Sequence, residues 1–182
     1  MNLVLVPAGN ESKYEQAFSV KNIIYERTGL LTQNRSFFRK LYKNSQVHLY
    51  EESERVHGFG IIDIQMYRHK RSPQLRLPGS LSLFLSHEEI VKDTPLVAEG
   101  YLSLLGVRPS MSRQGIASEI LTEAKGHYED IFCHVRASNE GALSFYKSQD
   151  FELRRMNPQY YSDSEDAAYL HWRSDEEESK ET

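Results

Sequence analysis

Residues 101–117, Tyr-Leu-Ser-Leu-Leu-Gly-Val-Arg-Pro-Ser-Met-Ser-Arg-Gln-Gly-Ile-Ala, carry the clearest chemical signal in the chain. The first half, Tyr101 to Val107, is apolar and aromatic enough for a buried strand, and Pro109 ends pairing. Ser110 to Gln114 is polar, and beyond Gly115 the residues Ile116, Ala117, Ile120 and Leu121 recur at helical spacing. Strand, short polar loop and glycine-led helix start make an anion site. The loop N–H groups converge, the helix adds positive partial charge, and the glycine lets a phosphate approach the main chain. Taken alone, the segment also fits a plain crossover in which Gly115 eases packing. Elsewhere, Cys133 sits inside the apolar run Ile131-Phe132-Cys133 and reads as a small core residue rather than a nucleophile. No Cys/His cluster has metal-ligand spacing, so no metal is expected; His48, His87 and His171 read as structural or surface residues.

A second strand–helix–strand unit follows, running Val135-Arg136-Ala137-Ser138-Asn139-Glu140-Gly141-Ala142-Leu143-Ser144-Phe145-Tyr146 and then Phe151-Glu152-Leu153. Together the two units resemble the core of the GCN5-related N-acetyltransferases (GNAT), over about residues 97–172. That resemblance implies an α/β (α+β) fold in one three-layer domain, with a mixed sheet of about seven strands flanked by about four helices. It also implies acetyl-CoA as co-substrate. The family loop reads Arg/Gln-x-x-Gly-x-Gly/Ala, met here by Gly115 and Ala117, while Ser112 stands where Arg or Gln is usual and Arg113 lies beside it. The implied cofactor contacts fall on Leu105, Gly106, Val107, Ser112, Arg113, Gln114, Gly115, Ile116, Ala117, Asn139 and Tyr146.

Within that family, one branch is closer. Tyr101, Leu105 and Gly106, then His134, Val135, Asn139, Ala142, Phe145 and Tyr146, and later Tyr160 and Tyr161, resemble the motifs of the NatE and NatF catalytic subunits. Those enzymes acetylate the α-amino group of Met-hydrophobic protein N-termini. The acceptor side would then comprise Tyr25, Tyr101, Tyr160 and Tyr161, and the partner would be a protein or peptide N-terminus. The long connection after Tyr67 is similar to the NatF type. Three departures stand out: Asp150 replaces a usual Gly, no Phe-Pro occurs near residues 24–27, and a NatF-type membrane-binding tail has no counterpart.

The implied chemistry is acyl transfer from a thioester to an amine. An α-amino group titrates near 7.7–8.0, so a modest base suffices to deprotonate it. Strand alternation places Glu99, Tyr101, Ser103, Leu105 and Val107 on one face. The resemblance brings Tyr101 near His134 on the next central strand, flanking the thioester. His134, with an ordinary pKa of about 6.5, suits the base, and Tyr101 suits a relay or a water-ordering group. A buried structural imidazole and a core aromatic are the other readings of the pair. Glu99 is the rival base. The resemblance assigns the oxyanion donor to the Val107 N–H and protonation of the leaving thiolate to Tyr146. Tyr146 shares a helix face with Asn139 and Leu143, which packing in the core explains equally well. Two alternatives to N-terminal acetylation stay open: the same fold acting on a lysine side chain or small amine, and an acyl-CoA-binding module without turnover.

These residues need elements to hold them. At 182 residues the chain suits one domain, expected over 1–173, with residues 174–182 an acidic, disordered tail. Net charge −4 gives no general attraction to nucleic acid. One cysteine excludes a disulfide framework, and no run approaches the ~20 apolar residues of a membrane span. A cytoplasmic protein is expected, with any auxiliary subunit or ribosome contact undetermined. Residues 2–6 read as a first strand, 11–28 as a helix capped by Gly29, and a second helix starts at Asn34 with Phe37, Phe38, Leu41 and Tyr42 as core. Residues 46–50 and 56–67 read as a hairpin around the polar turn 51–55. Residues 68–95, opening Arg68-His69-Lys70-Arg71 and including the apolar run 81–85, form the least regular part. Its basic cluster fits either a solvated loop or an attractor of an acidic peptide or of CoA phosphates. Helix 115–128, strand 131–136, helix 139–150, strand 151–155 and a strand near 169–172 complete the layer.

Overall fold

Period-two runs of Val, Ile, Leu and aromatic residues dominate the chain from Gln46 onward, and they build the sheet on which everything else rests. A computed structural model describes residues 2–69, 71–79, 90 and 96–174. Among these, β1 (Asn2–Val6), β2 (Gln46–Glu52), β3 (Arg55–His69), β4 (Ser72–Pro78), β5 (Leu96–Val107), β6 (Asp130–Arg136), β7 (Glu152–Asn157) and β8 (Ala167–Arg173) form one eight-stranded sheet. The order is β1-β2-β3-β5-β6-β8-β7, with β4 paired to the far end of β3. Only β5 and β6 run parallel; every other pair is antiparallel.

Among the described residues, four helices cover the two faces. Helices α1 (Tyr14–Thr28) and α2 (Arg35–Asn44) bury Tyr14, Phe18, Phe38 and Tyr42 against Val47, Phe59, Ile61 and Leu104. Helices α3 (Ile116–Lys125) and α4 (Glu140–Ser148) close the other face, where Leu121, Ala124 and Tyr146 pack with Ile62, Leu102, Ile131 and Cys133. The α1–α2 connection is fixed by local caps. Gly29 adopts φ 69 and its N–H reaches the Tyr25 carbonyl, while Asn34 Oδ1 accepts from Phe37 N at 2.9 Å.

Three expectations need correction. First, 68–95 is not wholly irregular: β3 runs to His69 and β4 returns along it, giving the eighth strand. Pro78 obscured it, yet proline is tolerated on an edge strand because no ladder donor is lost. Lys70, the run 81–85, His87 and the tail 175–182 lie outside the described residues. Second, Arg68 is neither solvated nor an anion trap. It is buried and bonds to Asp130 at 3.0 Å and Glu99 at 3.1 Å, with Glu129 at 3.5 Å. Third, the hairpin turn is tighter than 51–55. Glu52 pairs with Arg55, and only Ser53 and Glu54 turn, both at positive φ as a primed two-residue turn requires.

His48, fully buried on β2, ties the sheet to α3. It bonds to Glu123, which also accepts from His127 Nε2 at 2.9 Å. Burial opposes the Glu123 charge, but the hydrogen bonds from His127 and His48 outweigh it and hold the pKa at about 2, below the usual 4.5. A carboxyl depressed on folding contributes stability that is complete above its unfolded value and is lost as pH falls through the folded one. Urea unfolding should therefore show wild type losing stability relative to Glu123→Gln between pH 4.5 and 2. Parallel curves across that window would refute the role given to Glu123.

Candidate active site

The parallel pair is short. Glu99, Gly100 and Tyr101 of β5 face Asp130, Ile131 and Phe132 of β6, and pairing stops there although both strands continue. From Tyr101 onward the strands part, and a cavity of about 550 Å³ opens between them. Its walls include Leu102–Val107 of β5, His134, Val135 and Arg136 of β6, and Asn139, Ala142 and Tyr146 at the start of α4.

A bulge shapes one wall. Ile61 pairs with Leu104 and Ile62 with Leu102, leaving Ser103 as an extra residue on β5. Leu102 packs with Leu121 and Tyr128, whereas Leu104, two residues on, packs with Phe18 and Phe59 on the opposite face. The single face expected for Glu99, Tyr101, Ser103, Leu105 and Val107 is therefore broken at Ser103. Glu99 and Tyr101 point to one side; Leu105 packs beside Ile116 and Ile120 on the other.

Tyr101 and His134 meet at the mouth. The Tyr101 hydroxyl lies 2.8 Å from His134 Nδ1. Tyr160 stacks flat on the imidazole at 4.2 Å between centroids, Tyr169 lies 4.8 Å from it, and the Asn157 amide nitrogen is 2.7 Å from Nε2. Burial, with the Arg155 charge beside it, pushes His134 below its ordinary value, so its ring is neutral near pH 7. Burial and a hydrogen bond with Tyr160 push the Tyr101 hydroxyl far above 10, so it stays protonated unless a partner takes the proton. Burial does the same to Tyr146. The Tyr160–Tyr161 segment is held in place by salt bridges. The Arg136 guanidinium lies 4.1 Å from the Tyr161 ring and bonds to Asp163 at 2.8 Å and Glu165 at 2.6 Å, while Glu165 also accepts from Ser138 Oγ at 2.6 Å.

The loop expected to hold an anion lies beyond the cavity. A 3-10 turn, Pro109–Met111, follows β5, and residues Ser112, Arg113, Gln114 and Gly115 are exposed before α3 begins. Gly115 has φ 83 and caps α3 with no side-chain hydrogen bond, so the first-turn N–H groups are open to an anion. A Cβ at Gly115 would meet nothing within 4 Å, which leaves room for a phosphate, and Arg113 supplies a cation. Ser112 Oγ donates to the Pro109 carbonyl at 2.9 Å, so it closes the turn. Ile116 is core, packed with Tyr50 and Ile120.

Other candidates separate. Glu99 is tied to Arg68 and does not line the cavity. Tyr25 is 48% exposed, lies under the Lys21 ammonium at 5.3 Å, and also does not line it. Phe37, expected in the core, is 55% exposed and lines the cavity with Leu41, Ile24, Leu30 and Leu31. These last residues, and Asn157, carry no motif. The signal that marks them is an apolar pair, Leu30-Leu31, inside a loop bounded by two caps; Leu31 is held there at φ 58. Cys133 is buried and its thiol is pushed up by desolvation, as suits a core residue.

The family model described as "Acetyltransferase (GNAT) family" matches residues 33–151. The chain belongs to that family. Among curated relatives of this GNAT protein, N-alpha-acetyltransferase daf-31 of Caenorhabditis elegans is 36% identical over 75 residues, 37% of this chain and 41% of that protein. N-alpha-acetyltransferase 60 of Danio rerio is 34% identical over 70 residues, 34% of this chain and 29% of that protein. The chain thus spans less than half the length of these relatives. Naa20 of Chaetomium thermophilum, solved with a bisubstrate analogue, superposes with TM-score 0.64 at 16% identity over 95% of this chain and 86% of that one. Arabidopsis thaliana Naa50, solved with the bisubstrate analogue CoA-Ac-MVNAL, gives TM-score 0.61 at 16% identity over 96% of this chain and 100% of that one. No helix among the described residues is long and apolar enough to cross a membrane.

Proposed function

We propose that this GNAT protein is a cytoplasmic acetyltransferase acting on the α-amino group of protein N-termini, Met-hydrophobic ones preferred. The observation that carries the reading is the Tyr101–His134 pair, 2.8 Å apart at the mouth of the opened strands and roofed by Tyr160. Relatives named as N-alpha-acetyltransferases support the acceptor class. The apolar wall of Ile24, Leu30, Leu31, Phe37 and Leu41 supports an apolar leading side chain.

Acetyl-CoA, when bound, supplies the acetyl group as a thioester. The residues suited to hold it are Arg113, Gln114 and Gly115 with the first turn of α3 at its phosphates, and Asn139 and Tyr146 along its arm. Asn139 already caps α4, its Oδ1 accepting from Ala142 N at 3.1 Å. Tyr101 receives the acceptor amine at its hydroxyl, and His134 accepts the proton behind it. Tyr146, protonated throughout the working range, has a proton to give to the leaving sulfur. Val107 N–H remains the proposed oxyanion donor.

Mass spectrometry of a peptide panel with acetyl-CoA tests this: an α-amine product is expected, and product only on lysine ε-amines or polyamines would overturn it. Tyr161→Phe supplies a second test. A tyrosine hydroxyl at the acceptor groove can hydrogen-bond to the main chain of an incoming N-terminus, which a lysine side chain does not offer near its reacting nitrogen. KM for α-amine peptides should rise by a factor corresponding to ~1 kcal/mol, and activity on free lysine should barely change. Equal losses on both would mean that Tyr161 supports the fold.

A further inference from the structure

Both nitrogens of the His134 ring are engaged by side chains. The Tyr101 hydroxyl lies 2.8 Å from Nδ1 and the Asn157 amide nitrogen 2.7 Å from Nε2. An amide NH2 group can only donate. With the amide in that orientation Nε2 offers its lone pair, the ring proton belongs on Nδ1, and Nδ1–H donates to the Tyr101 oxygen. In that tautomer the ring has no lone pair facing Tyr101 and cannot take a proton from it. Rotating the Asn157 amide half a turn about its last side-chain torsion exchanges nitrogen for oxygen with almost no change of shape. Oδ1 then accepts from Nε2–H, and Nδ1 turns its lone pair to the Tyr101 hydroxyl. Tyr160 stacked at 4.2 Å and Tyr169 at 4.8 Å hold the ring between them, so the tautomer, and not the ring position, is what can vary.

We propose that Asn157 is a positioning residue that gates the basicity of His134: with its amide oxygen toward Nε2 the pair accepts a proton, and with its amide nitrogen there the pair is silent. The gated step balances. The acceptor amine gives a proton to the Tyr101 oxygen as the Tyr101 proton passes to Nδ1. The imidazolium then carries N–H at both nitrogens, with Nε2–H on Asn157 Oδ1, and later releases its proton through the same hydroxyl to solvent, from which Tyr146 regains the proton it gave to the leaving sulfur. The groups facing the ring are Tyr101 from β5, Tyr169 from β8, Arg155 and Asn157 from β7, and Tyr160 from the loop after β7. Arg155, whose guanidinium lies 5.1 Å from the Tyr169 ring, opposes positive charge on His134. No carboxylate among the described residues hydrogen-bonds to the ring. Oδ1 of Asn157 is thus the acceptor placed to receive Nε2–H. Asn157 terminates the edge strand β7, pairs only with Ala167 and is half-exposed, so substitutions there spare the core.

The identity of the amine rests on the proposed function; the state of the ring does not, and the experiment reads the ring directly. Nitrogen NMR of the full chain with labelled histidine would follow the His134 tautomer and titration in wild type, Asn157→Asp and Asn157→Leu, without substrate. Aspartate only accepts and is charged. It should fix Nε2–H and raise the His134 pKa by about 1–3 units, and the acid limb of kcat/KM should move to higher pH by the same amount. Asn157→Leu should release the tautomer and lower kcat by up to ~10²-fold, with KM for acetyl-CoA unchanged. Thermal melts check that each variant folds, and Asn157→Asp alone decides the matter if Asn157→Leu does not. A ring with wild-type tautomer and pKa in Asn157→Asp overturns the proposal. Absence of turnover on α-amine peptides alongside a shifted ring would instead defeat the proposed function and leave the gate standing.

Discussion

Tyr101→Phe and His134→Ala are each expected to bind acetyl-CoA as wild type does and to lose ~10²–10⁴ of kcat, the usual contribution of a positioned acid–base group. The expectation follows from where the two side chains sit. Neither belongs to the anion loop 112–117, so cofactor affinity has no reason to change. Phenylalanine keeps the ring that packs at the mouth and removes only the oxygen 2.8 Å from His134. Alanine at 134 removes the proposed proton acceptor and also the ring on which Tyr160 stacks, so its loss should be the larger. A stopped-flow or mass-spectrometric rate with a saturating peptide, beside calorimetric titration of acetyl-CoA, separates turnover from binding. If both variants turn over near wild type while Glu99→Gln is dead, the base is Glu99, and its bond to Arg68 must open during the reaction.

Loss of the cofactor by Gly115→Pro should be as complete. A ligand at a hundred times its Kd adds about 2.7 kcal/mol of stability. For a chain of this length that corresponds to a melting shift on the order of 5–11 °C. Gly115 sits at φ 83, where proline, locked near −65°, cannot follow, and the substitution also removes an N–H at the mouth of α3. The shift with millimolar acetyl-CoA should vanish. Gly115→Ala is the control: space around a Cβ is open, so the cost is the positive φ alone, ~1–2 kcal/mol, and part of the shift should survive. A full shift in Gly115→Pro would move the phosphate site away from this loop.

What the sequence carried well was whatever a short window decides. Asn34 and Asn139 announce their helices because a cap is a contact over three residues. Asp150 takes the place of a glycine because an Asx side chain tolerates the left-handed turn it occupies, at φ 62. The strand–loop–helix unit around Gly115 is equally local. The misses depend on partners distant in the chain. Ser103 is a bulge only because β3 pairs on either side of it, and no property of serine signals that. Phe37 and Phe38 are adjacent aromatics at the start of one helix; α1 and the sheet cover Phe38 and leave Phe37 at the cavity. Asn157 reads as the residue before Pro158 and acquires its meaning from a ring on β6, two strands away across the sheet.

The brevity of the parallel contact has a mechanical consequence. Residues 2–107 supply β1 to β5 and residues 130–173 supply β6 to β8, each block knitted by its own antiparallel ladders. Between them run three residue pairs, with Arg68 riveting β3 to Asp130 at the closed end. The molecule is therefore two plates joined along a seam, and the seam's open end is the cavity. Whatever fills that gap touches both plates, so an occupant at the open end adds contacts across the junction where the ladder itself supplies none.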